Sequence, residues 1–264
     1  MRFAKPPIFE VACGVLFSSE QPIASAHIGA YWQRIRSKFP RTQDVAPLPT
    51  VIEQAAGMTS SWMEFSNLPP LRRSWFVNAD GRNLIQLQGD RFLFNWQRAE
   101  NGDAYPSYGV VIEQFESHLS DFMDFCREIG VGELAFKQFE LVYVNLISRS
   151  NGLDATGFDS LLTDHVRSGE KSRFLPEVDG FNWATAYALP DGKGRLHILA
   201  QSALNQPGAD RPVRLELAAR GISADTAESG RRQWFDTAHE WITHGFVDVT
   251  NPKLHSDAYW KRES

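Results

Sequence analysis

The chain has 264 residues, of which 42% are hydrophobic and 22% are charged, and its formal net charge is −5. These are the values of an ordinary soluble globular protein that is long enough to bury a substantial core without disulfides or a structural metal. Because the chain is acidic and contains no block of lysine and arginine residues, its composition argues against nucleic-acid binding.

Two features of the sequence predict a cytoplasmic protein. No apolar run has the length of a signal peptide or of a transmembrane helix, so no membrane association is expected. The two cysteines, Cys13 and Cys126, lie within apolar patterns. We interpret them as small buried residues of a protein in a reducing compartment.

The first half of the chain, residues 1–130, predicts a strand, a helix, a run of strands and a long helix. β-Forming residues follow two prolines at the first strand, and apolar residues at helical spacing identify both helices. Three prolines make residues 40–50 irregular, and two tight turns separate the later strands. The predicted elements are a strand at 8–17, a helix at 26–39, an edge hairpin from 51–56 and 62–65, strands at 73–79, 84–88 and 91–97, and a helix at 108–129.

The second half, residues 131–264, repeats this order. Only Gly130-Val131-Gly132 separates the halves, which is too short for a linker and suits a turn after a helix. The chain is therefore predicted to be one continuous domain with two similar halves. The predicted elements of the second half are a strand at 134–148, a short helix at 156–167, strands at 181–189, 194–203 and 212–220, and a helix at 229–247.

This order of elements predicts the fold class. Long helices that follow antiparallel strands joined by tight turns indicate an α+β protein with the helices on one face of the sheet. We expect a duplicated β-α-β-β-β-α unit that forms a curved antiparallel sheet. TATA-binding-like and helix-grip folds have the same order of elements, although such an analogy carries no function by itself.

Short motifs give no catalytic signature. His239 and His244 are five residues apart, whereas a zinc-protease helix places its histidines four apart; at roughly 100° per residue the two side chains diverge. Phosphate-binding glycine loops, a nucleophile elbow and a Cys-x-x-Cys motif are absent. We therefore predict no metal, no cofactor and no catalytic residue, while a hydrolytic triad with widely separated members stays open.

Polar residues within apolar strands form the first group of candidate site residues. If such side chains point inward, they must be hydrogen-bonded or cost a few kcal/mol. We interpret them as satisfying backbone groups where the sheet bends. The alternatives are a polar set that lines a pocket between sheet and helices, and a metal or acid–base pair. These residues are Glu10, Asn95, Glu140 and Asn145.

A second group lies on the polar face of the predicted sheet, where polar and apolar residues alternate. A solvated face is the ordinary interpretation of this pattern, but a saddle-shaped sheet would also suit a protein, peptide or nucleotide. Trp260 lies in a tail with no helical pattern to bury it, and exposed arginine and tryptophan residues anchor interfaces. The candidates of this group are Gln86, Gln88, Arg195, His197, Gln201, Arg214, Arg220 and Trp260.

A series of short motifs, in order along nearly the whole chain, carries a family resemblance. The motifs are Lys5–Val11, Leu84–Gln88, Phe94–Trp96, Tyr105-Pro106, Tyr143–Asn145 and a closing helix with Phe246, Thr250 and Trp260. Together they resemble a sporadically distributed, functionally uncharacterised bacterial family of proteins of roughly this length. In that family the positions of Glu10, Asn95, Tyr143 and Asn145 recur, which fits strand geometry as well as a site and makes Tyr143 a further candidate for binding a ligand or partner. A Trp-Gly ending stands where this chain has Trp260-Lys261. The patchy distribution implies an accessory role, as in phage-defence or toxin–antitoxin systems.

The sequence favours a non-enzymatic binding or regulatory protein that recognises a protein partner or associates with itself. The first alternative is a small-molecule or nucleotide binder that uses a cavity between the sheet and the long helices. A hydrolytic enzyme is the second alternative.

Overall fold

A computed structural model describes residues 2–53, 60–61, 71–99, 104–158, 160–164, 174, 180–202 and 212–263. Nine of the described strands form one antiparallel sheet, which confirms the predicted α+β class. The strands are β1 (Ile8–Ser19), β2 (Arg41–Val45), β3 (Arg73–Val77), β4 (Asn83–Gln88), β5 (Arg91–Gln97), β6 (Leu134–Ile147), β7 (Asn182–Ala188), β8 (Gly194–Ser202) and β9 (Val213–Gly221).

The sheet is centred on β1 and β6, which pair over most of their length. The order across the sheet is β7-β8-β9-β6-β1-β5-β4-β3-β2, and every neighbouring pair is antiparallel. Strand β1 lies between β5 and β6, so that Cys13 opposes Phe94 on one side and Leu141 on the other. Its residues from Val11 to Phe17 are buried on both faces, as expected for a central strand.

The two long helices lie side by side on one face of the sheet. Phe115 of α2 (Tyr108–Glu128) contacts Phe92 of β5 and Phe235 of α4 (Glu228–Val249), with ring centroids 6.4 and 5.1 Å apart. Phe235 also contacts Phe139 of β6 at 5.9 Å. These aromatic contacts form the centre of the core. The helices are α1 (Ser25–Ile35), α2 (Tyr108–Glu128), the single turn α3 (Leu153–Thr156) and α4 (Glu228–Val249).

A buried ion pair joins the long helices. Arg231 of α4 is 4% exposed, and its Nε and Nη2 donate to the carboxylate of Glu116 on α2, with both Nε contacts at 3.1 Å. The guanidinium also lies over the ring of Phe136, 5.4 Å from its centroid. Charge, hydrogen bonding and ring contact therefore fix α4 against α2 and β6.

A short segment, residues 48–53, crosses the opposite face of the sheet. Gln88 of β4 accepts from the backbone N–H of Leu48 at 2.9 Å and donates to its carbonyl at 3.1 Å. Further along, Gln138 of β6 accepts from the N–H of Glu53 at 2.7 Å and donates to the carbonyl of Val51 at 3.0 Å. The two glutamine side chains thus provide hydrogen-bond partners for backbone N–H and C=O groups of the crossing segment.

Two local predictions are wrong in the described residues. Residues 41–45, predicted to be irregular, form β2 because β3 offers a free edge for pairing. In the described part of the helix predicted at 156–167, only Thr156 is helical, as the last residue of α3; Gly157 follows with φ 62°, a conformation that stops a helix. Residues 159 and 165–167 lie outside the described ranges. Of the predicted edge hairpin, the described part is a two-residue ladder between Val51–Ile52 and Ser60–Ser61, and residues 54–59 and 62–70 lie outside the described ranges.

The two ends of the described chain meet, because Arg2–Phe3 pairs with Arg262–Glu263. This ladder brings the N-terminal segment beside the C-terminal tail, next to α4. None of the helices in the described ranges has an apolar stretch long enough to cross a membrane.

Candidate functional site

A cavity of about 790 Å³ lies where the sheet, the start of α2, the middle of α4 and both chain ends meet. Its volume is within the range of small-molecule binding sites. Three of the residues singled out in the sequence, Tyr143, Asn145 and Trp260, line it. From Phe139 onward the odd-numbered residues of β6 face the helices, which places Tyr143 and Asn145 in the cavity wall together.

A chain of three uncharged groups lies in this wall. The hydroxyl of Tyr143 is hydrogen-bonded to the hydroxyl of Tyr105 at 2.9 Å and to Nδ1 of His239 at 3.1 Å. Burial raises the pKa of both tyrosines far above neutrality and lowers the pKa of His239 to about 4. At neutral pH the chain is therefore neutral, and its protons can point in either direction, because a hydroxyl and an imidazole each donate and accept.

Tyr108 and Asp236 hold the imidazole of His239 in place. The rings of Tyr108 and His239 are stacked, with centroids 4.0 Å apart and planes 6° apart. The Tyr108 hydroxyl donates to Asp236 at 2.8 Å, and Arg232 donates to the same oxygen at 3.2 Å. The imidazole thus has a fixed plane, and its Nε2 has no hydrogen-bond partner among the described residues.

Asn145 has both roles that the sequence left open. Its amide donates to the carbonyl of Leu215 at 3.2 Å, and the residue is 2% exposed. The side chain therefore satisfies a backbone group of β9. It also lines the cavity, where its carbonyl oxygen has no partner among the described residues.

Trp260 is buried, so the prediction of an exposed interface residue is wrong. It is 1% exposed, its Nε1 donates to the carbonyl of Asn151 at 2.8 Å, and its ring contacts those of Phe3 and Phe246. Pairing of Arg262–Glu263 with Arg2–Phe3 holds the C-terminal tail against α4. The tail is therefore buried by strand pairing, which a search for helical patterns in its sequence does not detect. Lys261, the next residue, has φ 49° in the region that favours glycine.

The polar strand residues Glu10 and Asn95 lie on the opposite face from Asn145, so these three residues do not line a common cavity. Trp75 donates to Gln86 at 3.0 Å, Gln86 donates to Asn95 at 2.8 Å, and Asn95 donates to Glu10. This ladder of hydrogen bonds runs across β3, β4, β5 and β1. Its members satisfy one another, as buried polar groups must.

The charged candidate residues on the sheet face opposite the helices form ion pairs or hydrogen bonds within the chain. Arg195 and His197 of β8 both contact the carboxylate of Glu53, at 3.2 and 2.9 Å, and the Glu53 side chain is 2% exposed. Arg214 pairs with Glu216 on the same strand. The crossing segment covers the arginine–histidine part of the face, and the prediction of a protein partner there stays a prediction.

The two histidines of α4 face different cavities. His239 lines the large one, whereas His244 lines a second cavity of about 440 Å³ between α4 and β7–β8, together with Asp164, Glu240 and Asp248. Their divergence was predicted from the five-residue spacing. Within the described ranges, no group of three or more His, Cys, Asp or Glu residues is placed to hold a metal ion.

Several residues of the cavity were not identified as site residues in the sequence. His239 was considered only as a zinc ligand, Tyr105 only as part of a motif, and Tyr108 and Arg98 not at all. The available signal was the spacing of Arg232, Asp236 and His239, which lie at i, i+4 and i+7 and so share one face of α4. Nothing in the sequence places that face beside Tyr143.

No protein-family model, curated protein or solved structure matches this chain. The family resemblance of the short motifs therefore stays a prediction. The geometry and chemistry of the cavity carry the functional proposal.

Proposed function

We propose that this protein binds a small organic molecule in the cavity between the sheet, α2 and α4. The observation that carries the proposal is the hydrogen-bonded chain of Tyr105, Tyr143 and His239 in the cavity wall. One end of this chain, His239 Nε2, has no partner in the described part of the molecule. A fixed wall that combines apolar surface with a few convergent polar groups is the usual form of a ligand site.

Binding suits this geometry better than catalysis. A general base works best with a pKa near the operating pH, and the pKa of His239 is lowered to about 4 by burial. The partner of its Nδ1 is a tyrosine whose own pKa is raised, which is not an activated nucleophile. These features support a neutral recognition surface for ligand donors and acceptors.

A cavity-filling substitution tests the proposal. Gly109, in the first turn of α2, lines the cavity, and a Cβ added there would meet only Ser107 Oγ, at 4.0 Å, so we expect the ring of Gly109→Phe to fit and to fill part of the cavity. Gly29→Phe is the matched control, because a Cβ at Gly29 in α1 meets nothing within 4 Å and Gly29 is exposed. Thermal unfolding is measured for each protein with fractions of a small-molecule extract from the source organism.

We expect at least one fraction to stabilise the wild type and Gly29→Phe, but not Gly109→Phe. A ligand at 100 times its Kd stabilises a protein by about 2.7 kcal/mol, which raises the midpoint by several degrees. Equal stabilisation of all three proteins would place the binding site elsewhere. The absence of any shift in the wild type would contradict the proposal.

The duplicated architecture is a further part of the proposal, with halves 1–130 and 131–264 as copies of one β-α-β-β-β-α unit in a continuous domain. The order of the sheet supports it: β1 is followed outward by β5, β4 and β3, and β6 is followed outward by β9, β8 and β7. Strand β2 has no counterpart among the described residues. A TATA-binding-like or helix-grip-like curved sheet would follow from this arrangement.

Membership of the sporadically distributed bacterial family is likewise a proposal. It is supported by Lys261, which has φ 49° at the position where the family's Trp-Gly ending predicts glycine. A cytoplasmic location is supported by Cys13 and Cys126, both free and buried.

Recognition of a protein partner, in an accessory defence or toxin-neutralising system, is a second candidate function. Its support is β7, which ends the sheet and pairs only with β8 among the described strands. An extended segment of a partner can add to such an edge. Pull-down from the source organism should capture a partner that Ala184→Lys loses, because a charge on an edge strand opposes pairing. Empty pull-downs and a monomer in light scattering would contradict this function.

A further inference from the structure

We infer that the ligand of the large cavity is an anion with an aromatic or flat apolar body, held with its negative group beside Arg98. The inference rests on the proposed function, because it names the chemical class of molecule that the cavity selects.

The charge of the cavity wall is the first argument. Lys5 and Arg98 line the cavity, and none of its described lining residues is an aspartate or glutamate. The whole chain has the opposite balance, with 32 acidic and 27 basic residues. The second cavity has the acidic character of the whole chain, since its described lining residues include three carboxylates and no lysine or arginine. The large cavity is therefore a cationic site in an acidic protein, and it favours an anion.

The surroundings of Arg98 are the second argument. Its Nη2 donates to the carbonyl of Pro6 at 3.0 Å, but its Nε is buried without a hydrogen-bond partner, and no carboxylate pairs with it in the described ranges. Elsewhere, Arg231 and Arg220 lie against Glu116 and Glu140. A partly buried guanidinium without a carboxylate partner is costly, and the carboxylate, sulfonate or phosphate of a ligand in the cavity would offset its charge.

The rings around the cavity are the third argument. Tyr105, Tyr108 and Tyr259 contribute aromatic surface, and the neutral chain through Tyr143 and His239 supplies donors and acceptors without charge. Aromatic walls select flat apolar bodies through edge and face contacts. The first turn of α2 lines the same cavity, and its partial positive charge adds to that of Lys5 and Arg98.

Two fluorescent probes with the same ring system test the inference. The anion 8-anilinonaphthalene-1-sulfonate is compared with the neutral N-phenyl-1-naphthylamine in fluorescence titrations. The variants are Arg98→Gln and, as a matched control, Arg73→Gln, which removes the same charge from a half-buried arginine outside the cavity. Gly109→Phe and Gly29→Phe report whether the probe occupies the cavity at all.

We expect Arg98→Gln to weaken binding of the anion by at least about tenfold and to leave the neutral probe within about twofold. Arg73→Gln should leave both unchanged, and Gly109→Phe should weaken both. Unchanged binding of the neutral probe also shows that Arg98→Gln is folded. Two results would contradict the inference of an anionic ligand while leaving the cavity as a ligand-binding site. In the first, Gly109→Phe weakens binding of both probes but Arg98→Gln changes neither. In the second, the neutral probe binds as tightly as the anion. If neither probe binds, or neither responds to Gly109→Phe, the anion inference fails together with its basis.

Discussion

Arg231→Ala should lower the free energy of unfolding by about 3–5 kcal/mol, because it leaves the carboxylate of Glu116 without its partner between the two long helices. The side chains of Arg231 and Glu116 are only 5% and 14% exposed. Solvent therefore screens the pair weakly, and water cannot replace the lost hydrogen bonds. Urea unfolding followed by circular dichroism measures the change.

The next residue provides the control. Arg232 pairs with Asp236 on the surface of α4, where the side chains are 39% and 52% exposed, and Arg232→Ala should cost only about 0.3–0.5 kcal/mol. Replacing both partners of the buried pair, with Arg231→Met and Glu116→Gln, should cost less than Arg231→Ala alone, since no charge is left unpaired. Equal losses for Arg231→Ala and Arg232→Ala would show that the interhelical pair is not buried in solution.

Trp260→Ala should destabilise the protein by about 3–5 kcal/mol, the range for removing a large buried aromatic side chain. The indole packs against Phe246, with ring centroids 5.1 Å apart, and is 1% exposed. Trp260→Phe keeps most of this packing but loses the hydrogen bond to Asn151, so a loss on the order of 1 kcal/mol is expected. Thermal unfolding with both variants separates the contributions. If Trp260→Ala were as stable as the wild type, the buried position of Trp260 would be contradicted, and the exposed tail predicted from the sequence would be supported.

Secondary structure was predictable where the apolar pattern is regular. The predicted helix at 108–129 is observed at Tyr108–Glu128, and the one at 229–247 is observed at Glu228–Val249. In both, apolar residues recur at helical spacing and face the sheet. Strand β2 was missed because its sequence Arg-Thr-Gln-Asp-Val is mostly exposed and has no apolar face; pairing with β3 determines its conformation.

The candidate site was predictable only in part. Strand periodicity correctly placed Asn145 on the face of Tyr143, because alternation is a local property of one strand. The convergence of Tyr105, Tyr143 and His239 depends on how α2 and α4 cross the sheet, and no local pattern encodes that. For the same reason, the lack of a carboxylate partner for Arg98 among the described residues becomes visible only when the elements around it are placed.

The most direct test of the ligand-binding cavity is native mass spectrometry of the protein purified from its source organism. We predict that the folded wild-type protein and Gly29→Phe retain the additional mass of a small organic molecule, which is released on denaturation, and that Gly109→Phe retains none. A wild-type protein whose native mass equals that of the polypeptide alone, even after incubation with the small-molecule extract, would contradict the account.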